Sequence, residues 1–161
     1  MLERFAIETG NPIIAWRLPM TPKYEKQYAN RMDVLYSIVR DMIAYFVSGA
    51  PCSLTENVRP EKGLSNGTSG RVHSLVLDPE EPALTLDSIS NAALGQVVFL
   101  KNPPFVVNVE IPKESTTATG INDDLHRDDG VVVVPSVPCT TQVNLEQYIP
   151  CLKKRGVVPL R

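Results

Sequence analysis

The sequence has few cysteines and lacks long apolar runs. Its longest apolar stretches, such as VVVVP and IIAW, are far below the ~18 residues that a membrane-spanning helix needs. Cys52, Cys139 and Cys151 are odd in number and show no CxxC spacing, so neither a disulfide framework nor a zinc site is predicted. We expect them to be buried, reduced thiols. The first residues, MLERFAIETGNP, carry acids where a signal peptide has a basic region, so secretion is not expected.

An excess of positive charge is also lacking. The 161-residue chain has a formal net charge of −2, whereas a self-sufficient nucleic-acid-binding domain is usually basic. Any contact with DNA therefore has to be local. The length suits one ordinary domain, and 14 prolines indicate many turns, edge strands and short elements.

No nucleotide-binding loop of the Walker type is present. That loop requires GxxxxGK[ST], because its lysine reaches the β- and γ-phosphates. The glycine-rich stretch KGLSNGTSGRVHSL has no lysine after its last glycine. Its Asn66-Gly67 pair favours a turn with positive φ at both residues, joining the segment PCSLTEN to the segment RVHSLVL.

The sequence contains no convincing catalytic or metal site. The segment Asn122–Asp129 (NDDLHRDD) lacks the register of a calcium-binding loop, and a solvated charged loop is the favoured interpretation. His73 lies in an alternating segment without a recognisable nucleophile pattern. No catalytic residue, metal ligand or cofactor of its own is predicted for this chain.

The clearest helical pattern begins at Thr21, which could be the N-cap, with Pro22 at the first helical position. Apolar residues then recur at intervals of three and four as far as Phe46, and Gly49 is placed to end the helix. Before it, NPIIAWRLPM has the β-branched and aromatic content of an extended segment. The helical stripe is predicted to face the core.

After Gly49 the pattern changes to the alternation of strands. The predicted strands lie in PCSLTEN, RVHSLVL, QVVFLK, FVVNVEI and GVVVVP, with TQVNL and GVVPL as further candidates. The predicted fold class is α+β, with an N-terminal amphipathic helix followed by a small antiparallel β-barrel or curled sheet. The predicted division is a helical portion at 1–48 and a β-rich portion at 49–161, with a long polar loop at about 112–130.

Basic residues occur near the glycine-rich stretch and at one strand end. Such groups can contact a phosphate backbone without reading sequence, although a solvated rim explains them equally well. The candidates for DNA contact are Arg59, Lys62, Arg71 and Lys101. Lys153, Lys154, Arg155 and Arg161 make the C-terminal stretch locally positive.

The segment Tyr45–Leu75 resembles a stretch of superfamily-one DNA helicases of the petite-integration-frequency type, most closely the branch associated with Helitron transposons. The family pattern is G-x-P-V-x-L-x-x-N followed by G-L-x-N-G-[TS]-x-G. The matching residues are Gly49, Pro51, Leu54, Asn57, Gly63, Leu64, Asn66, Gly67, Thr68 and Gly70. Cys52 departs from the pattern at the valine position.

The resemblance implies a fragment of an ATP-dependent helicase, comprising part of the second RecA-like lobe and its inserted Src-homology-like barrel. In that family ATP and magnesium are bound by Walker motifs, which this chain lacks, so the chain alone is expected to be inactive. The implied partners are single-stranded DNA and the remainder of a helicase, with a nuclear location and no membrane. Asn57, Gly63, Asn66, Gly67 and Gly70 are predicted to shape the turn that presents the basic residues.

A small β-barrel protein-interaction module is the alternative function. Small barrels with proline-rich edges bind peptides, and the acidic segment Asn122–Asp129 could meet a basic partner. If the four candidate basic residues share one face, DNA contact is favoured, whereas scattered positions favour the module. An independent enzyme ranks last.

Overall fold

The computed structural model describes residues 2–20, 22–28, 31–116 and 130–136. Its helices are α1 (Leu2–Thr9), α2 (Pro22–Tyr28), α3 (Met32–Ile38) and α4 (Ala83–Ser90). Its strands are β1 (Ile13–Arg17), β2 (Ile43–Phe46), β3 (Pro51–Ser53), β4 (Ser69–Val76), β5 (Val97–Phe99), β6 (Val106–Pro112) and β7 (Val131–Ser136). Short 3-10 helices lie at Arg40–Met42, Pro60–Lys62 and Lys113–Ser115.

The strands form two open sheets, which confirms the predicted α+β class with a curled sheet. One has the order β2-β1-β5 and the other the order β3-β4-β6-β7. The four-stranded sheet is antiparallel throughout. In the three-stranded sheet, β1 is antiparallel to β2 and parallel to β5.

The prediction of one helix from Thr21 to Gly49 is wrong. The segment forms α2 and α3, then a 3-10 turn, and its last part is strand β2. Pairing decides this outcome, because Ile43–Phe46 lies antiparallel to β1 with Phe46 opposite Ile14. Thr21 itself lies outside the described residues.

The apolar stripe nevertheless faces a core, as predicted. Tyr28, Leu35, Tyr36, Val39 and Met42 are buried together around α2, α3 and the 3-10 turn. The Tyr36 hydroxyl donates to the Leu18 carbonyl over 2.7 Å. Burial raises the pKa of Tyr36, while the Arg17 guanidinium, 4.8 Å from the ring centre, opposes that rise. The apolar stripe is thus buried in a core, although the structure has α2, α3 and a 3-10 turn in place of the single predicted helix.

The strand predictions from PCSLTEN to GVVVVP are confirmed, because each predicted segment overlaps one of the strands β3 to β7. The extended segment before the helical stripe is β1. The candidates TQVNL and GVVPL lie outside the described residues, as does most of the predicted polar loop. Pro112, at the start of that predicted loop, still belongs to β6.

Strand β1 connects the two predicted portions of the chain. It pairs with β5 through Ile13 opposite Val97, so the portion at 1–48 shares a sheet with the portion at 49–161. Trp16 and Phe46 are buried beside Leu100, with Leu75 and Val107 packed against them. The division at residue 48 stays a prediction. Among the described residues, no helix is long and apolar enough to cross a membrane.

Replacing Phe46 and Tyr45 separately by alanine tests the strand at 43–46. Phe46 is 6% exposed and Tyr45 is 46% exposed, because neighbouring side chains of a strand point to opposite faces. We expect Phe46→Ala to lower the free energy of unfolding by about 3–5 kcal/mol and Tyr45→Ala by about 1 kcal/mol or less. Urea denaturation measures both, and equal losses would contradict the alternating strand.

Candidate nucleic-acid interface

The glycine-rich stretch forms a closed connection between β3 and β4. The Leu54 amide donates to the Thr68 carbonyl over 2.9 Å, and the Gly67 amide donates to the Leu54 carbonyl over 2.8 Å. A turn runs from Ser65 to Thr68, with the Thr68 amide donating to the Ser65 carbonyl. The predicted hairpin connection is therefore present.

The predicted backbone of that turn is wrong at one residue. Gly67 has φ of +88°, but no non-glycine residue of the described chain has a positive φ, so Asn66 does not adopt the left-handed conformation. This pattern of φ signs is that of a type II turn. A negative φ at Asn66 avoids the Cβ clash that a non-glycine residue meets in the left-handed region, and the Asn66 backbone amide donates to the Asn57 side-chain oxygen over 2.9 Å.

Leu64 anchors the connection to the four-stranded sheet. It is 2% exposed and packs with Val109 and Ile111 of β6. Its carbonyl accepts from the amides of Val58 and Arg59, and its own amide donates to the Arg59 carbonyl. The chain between Arg59 and Leu64 is thereby held as a small loop.

Two glycines allow close approaches that a side chain would block. Gly63 has φ of +79°, and a Cβ there would collide with the Ser115 carbonyl. The Thr116 hydroxyl donates to the adjacent Lys62 carbonyl over 2.6 Å. At Gly70, a Cβ would collide with the Glu110 carbonyl and with Ile111. Gly63 and Gly70 therefore pack against the end of the β4–β6 ladder where Arg71 lies opposite Glu110, whereas Asn66 and Gly67 at the tip of the connection are exposed.

Three of the four candidate basic residues belong to this unit, which we call the β3–β4 unit (residues 51–76). Arg59 precedes its 3-10 turn, Pro60–Lys62, and Lys62 is the last residue of that turn. Arg71 lies on β4, opposite Pro51 and Glu110. One Arg71 nitrogen donates to the Gly49 carbonyl over 3.0 Å, and the side chain is exposed.

Lys101 lies elsewhere, just after β5 of the three-stranded sheet. The Glu81 carboxylate, buried at 7% exposure, accepts the amides of Lys101 and Asn102 over 2.8 and 2.9 Å. These bonds shape the bend that follows β5. The four candidates thus divide between the two sheets, three on one and one on the other.

Sequence reasoning missed a polar cluster around His73. A bulge between Val72 and Ser74 interrupts the register with β6. His73 Nδ1 lies 2.9 Å from Ser74 Oγ, which also accepts from Asn108 Nδ2 over 2.9 Å. The alternating sequence pattern gave no signal for this cluster, because the bulge brings the successive residues His73 and Ser74 together.

The cluster pairs half-buried polar groups of β4 with the buried Asn108 of β6. His73 Nε2 lies 3.8 Å from Glu110 Oε1, which is longer than a hydrogen bond. Among the described residues, every buried side-chain nitrogen or oxygen has a hydrogen-bond partner.

Cys52 is a free thiol on β3, half-buried beside the Leu64 cluster. Burial raises its pKa above the ordinary value, which keeps it protonated near neutrality. Cys139 and Cys151 lie outside the described residues, as does the acidic segment Asn122–Asp129. No cluster of three potential metal ligands occurs in the part of the chain that the structure describes.

Comparison with known proteins returned no relative: no family model, curated protein or solved structure matches this chain.

Gly63→Ala is expected to destabilise the protein more than Gly67→Ala. Both glycines have positive φ, which costs an alanine about 1–2 kcal/mol. Only at Gly63 would the methyl group also meet backbone, whereas the space around Gly67 is open. Urea denaturation of both variants measures the difference, and a Gly67→Ala loss as large as that of Gly63→Ala would contradict the packed geometry at Ser115.

Proposed function

We propose that the β3–β4 unit contacts the phosphate backbone of single-stranded DNA without reading its sequence. Such a contact agrees with the helicase-like pattern from Gly49 to Gly70, and this chain would be the non-motor fragment of a helicase of the petite-integration-frequency type. The observation that supports the proposal is that Arg59, Lys62 and Arg71 belong to one closed unit. The separate position of Lys101 favours the protein-interaction module instead, so the proposed DNA contact does not include Lys101.

The backbone of this unit keeps its cations available for a ligand. Within the described part of the chain, Arg59 forms hydrogen bonds only through its backbone, to Leu64 and Lys62. Arg71 uses one nitrogen at the Gly49 carbonyl, and a guanidinium has five N–H donors in all. Neither side chain forms a salt bridge with a described residue.

The acidic neighbours limit the strength of such a contact. Glu61 lies between Arg59 and Lys62 in the 3-10 turn, and Glu110 is directly opposite Arg71. Phosphate contacts depend on local positive charge and release counterions when they form. We therefore expect weak binding that is visible at low salt.

Salt dependence of oligonucleotide binding tests the proposal. For single strands, log K falls against log salt with a slope of about −0.7 per phosphate contact. Three contacts predict a slope of about −2 for the wild-type chain with a fluorescein-labelled oligothymidylate, measured by anisotropy. Absence of binding at low salt, or an affinity that does not change with salt concentration, would contradict the proposed DNA contact.

Charge-removing variants locate the contact. Arg59→Gln, Lys62→Gln and Arg71→Gln are each expected to weaken binding and to make the slope shallower by about 0.7. Lys26→Gln, an exposed cation on α2, is the matched control and should leave the slope unchanged. If the single-stranded DNA also reaches the three-stranded sheet, Lys101→Gln should weaken DNA binding as well.

The chain should not hydrolyse ATP. It has no GxxxxGK[ST] sequence, and an ATPase needs that lysine and hydroxyl to hold phosphate and magnesium. We expect phosphate release from Mg-ATP at the background rate, with and without single-stranded DNA. Clear stimulation by the DNA would show a complete motor site and overturn the assignment as a non-motor fragment.

A further inference from the structure

Strand β5 is an edge of the three-stranded sheet, and no strand of the described part of the chain pairs with its outer side. The Ile13 amide donates to the Gln96 carbonyl over 2.9 Å, and the Leu100 amide donates to the Ala15 carbonyl over 2.8 Å. In a parallel ladder this register turns the backbone groups of Val98 towards β1 and those of Val97 and Phe99 away from it. None of the described residues pairs with these outward groups.

A groove runs along this open edge. Leu84, Thr85 and Ser88 of α4 form one wall, and Gln96 to Phe99 form the other. Its volume is about 290 Å³, which is near the lower end of the range for small-molecule pockets, ~300 Å³. That space suits one or two side chains of a longer ligand better than a whole cofactor.

The lining of the groove is uncharged and mixes polar with apolar side chains, some of the apolar ones exposed. Leu84 is 79% exposed, Phe99 50% and Val97 38%. No residue that lines the groove carries a charge. Soluble proteins usually protect an edge strand by keeping it very short or with lysine, proline or a bulge. Val97–Phe99 is short, at 3 residues, but contains no lysine or proline.

We propose that the β5 edge and the α4 groove bind an extended, uncharged and largely apolar peptide segment of a partner protein. The segment adds to the sheet as a fourth strand, with the N–H and C=O groups of Val97 and Phe99 as its main-chain partners. Its alternate side chains enter the groove, which is the arrangement of β-strand addition. The proposal is independent of DNA contact by the β3–β4 unit.

The outward backbone groups favour a peptide over a nucleic acid. Phosphates need cations, which the lining residues lack. A strand supplies donors and acceptors that match the open row on β5, and an edge strand of this kind is a template for pairing. The matching chemistry is therefore main-chain hydrogen bonding.

Amide hydrogen exchange on the full chain, followed by NMR, tests the proposal. The probe is a pool of blocked nonapeptides with valine, isoleucine or phenylalanine at alternate positions and threonine between them. In the free protein we expect the Val97 and Phe99 amides to exchange rapidly, and the Val98 and Leu100 amides to be protected. With the pool at millimolar concentration, protection of Val97 and Phe99 should rise at least tenfold.

Two pairs of variants separate binding from folding. Val97→Pro removes an outward N–H while sparing the ladder with β1, since proline is tolerated where the edge N–H faces solvent, and Val97→Ala is its matched control. Ser88→Arg fills the groove, whereas Ser90→Arg changes the same helix outside it. We expect at least a tenfold loss of peptide affinity for Val97→Pro and Ser88→Arg only, with Val98 protection retained.

Three results would overturn the proposal. The first is no added protection of Val97 and Phe99 with the pool at millimolar concentration. The second is an equal loss of affinity for Ser90→Arg and Ser88→Arg. The third is protection of these amides without peptide that grows with protein concentration, because a second copy of the chain would then occupy the edge.

Discussion

The central position of β1 is the constraint on which the rest of the structure depends. Ile13 to Trp16 are all buried, so their backbone groups need partners on both sides. β2 supplies one side and β5 the other, although these strands come from distant parts of the chain. Once both have paired with β1, Phe46 and Leu100 are brought beside Trp16. That core in turn receives Leu75 and Val107 from the second sheet.

The passage from one sheet to the other occurs over a few residues. After β2 the chain turns through Gly49, whose φ is +80°, and the Gly49 amide donates to the Val72 carbonyl over 2.7 Å. The Ser48 hydroxyl donates to the His73 carbonyl over 3.0 Å. The turn therefore attaches β4 to the first sheet's core, and the bulge at His73 lies at the same place. A local turn and a long-range contact stabilise each other here.

The two proposed surfaces differ in the groups that they offer. The β3–β4 unit presents cations on a backbone that is closed by hydrogen bonds and anchored by Leu64. The β5 edge presents main-chain groups that have no partner among the described residues, beside an uncharged groove. A polyanion suits the first surface and an extended peptide suits the second. Because they lie on different sheets, one chain could hold both ligands.

The sequence by itself determined the strands with alternating patterns, the presence of the turn at Gly67 and the core-facing stripe around Leu35. These features depend on local periodicity and on the conformational freedom of glycine. Only the tertiary structure decided that Ile43–Phe46 is a strand, because apolar spacing there fits either a helix or a pairing with β1. It also decided that Asn66 keeps a negative φ. Lys101 was separated from Arg59 and Arg71 for the same kind of reason, since the pairing of β5 with β1 is a long-range contact that no local pattern encodes.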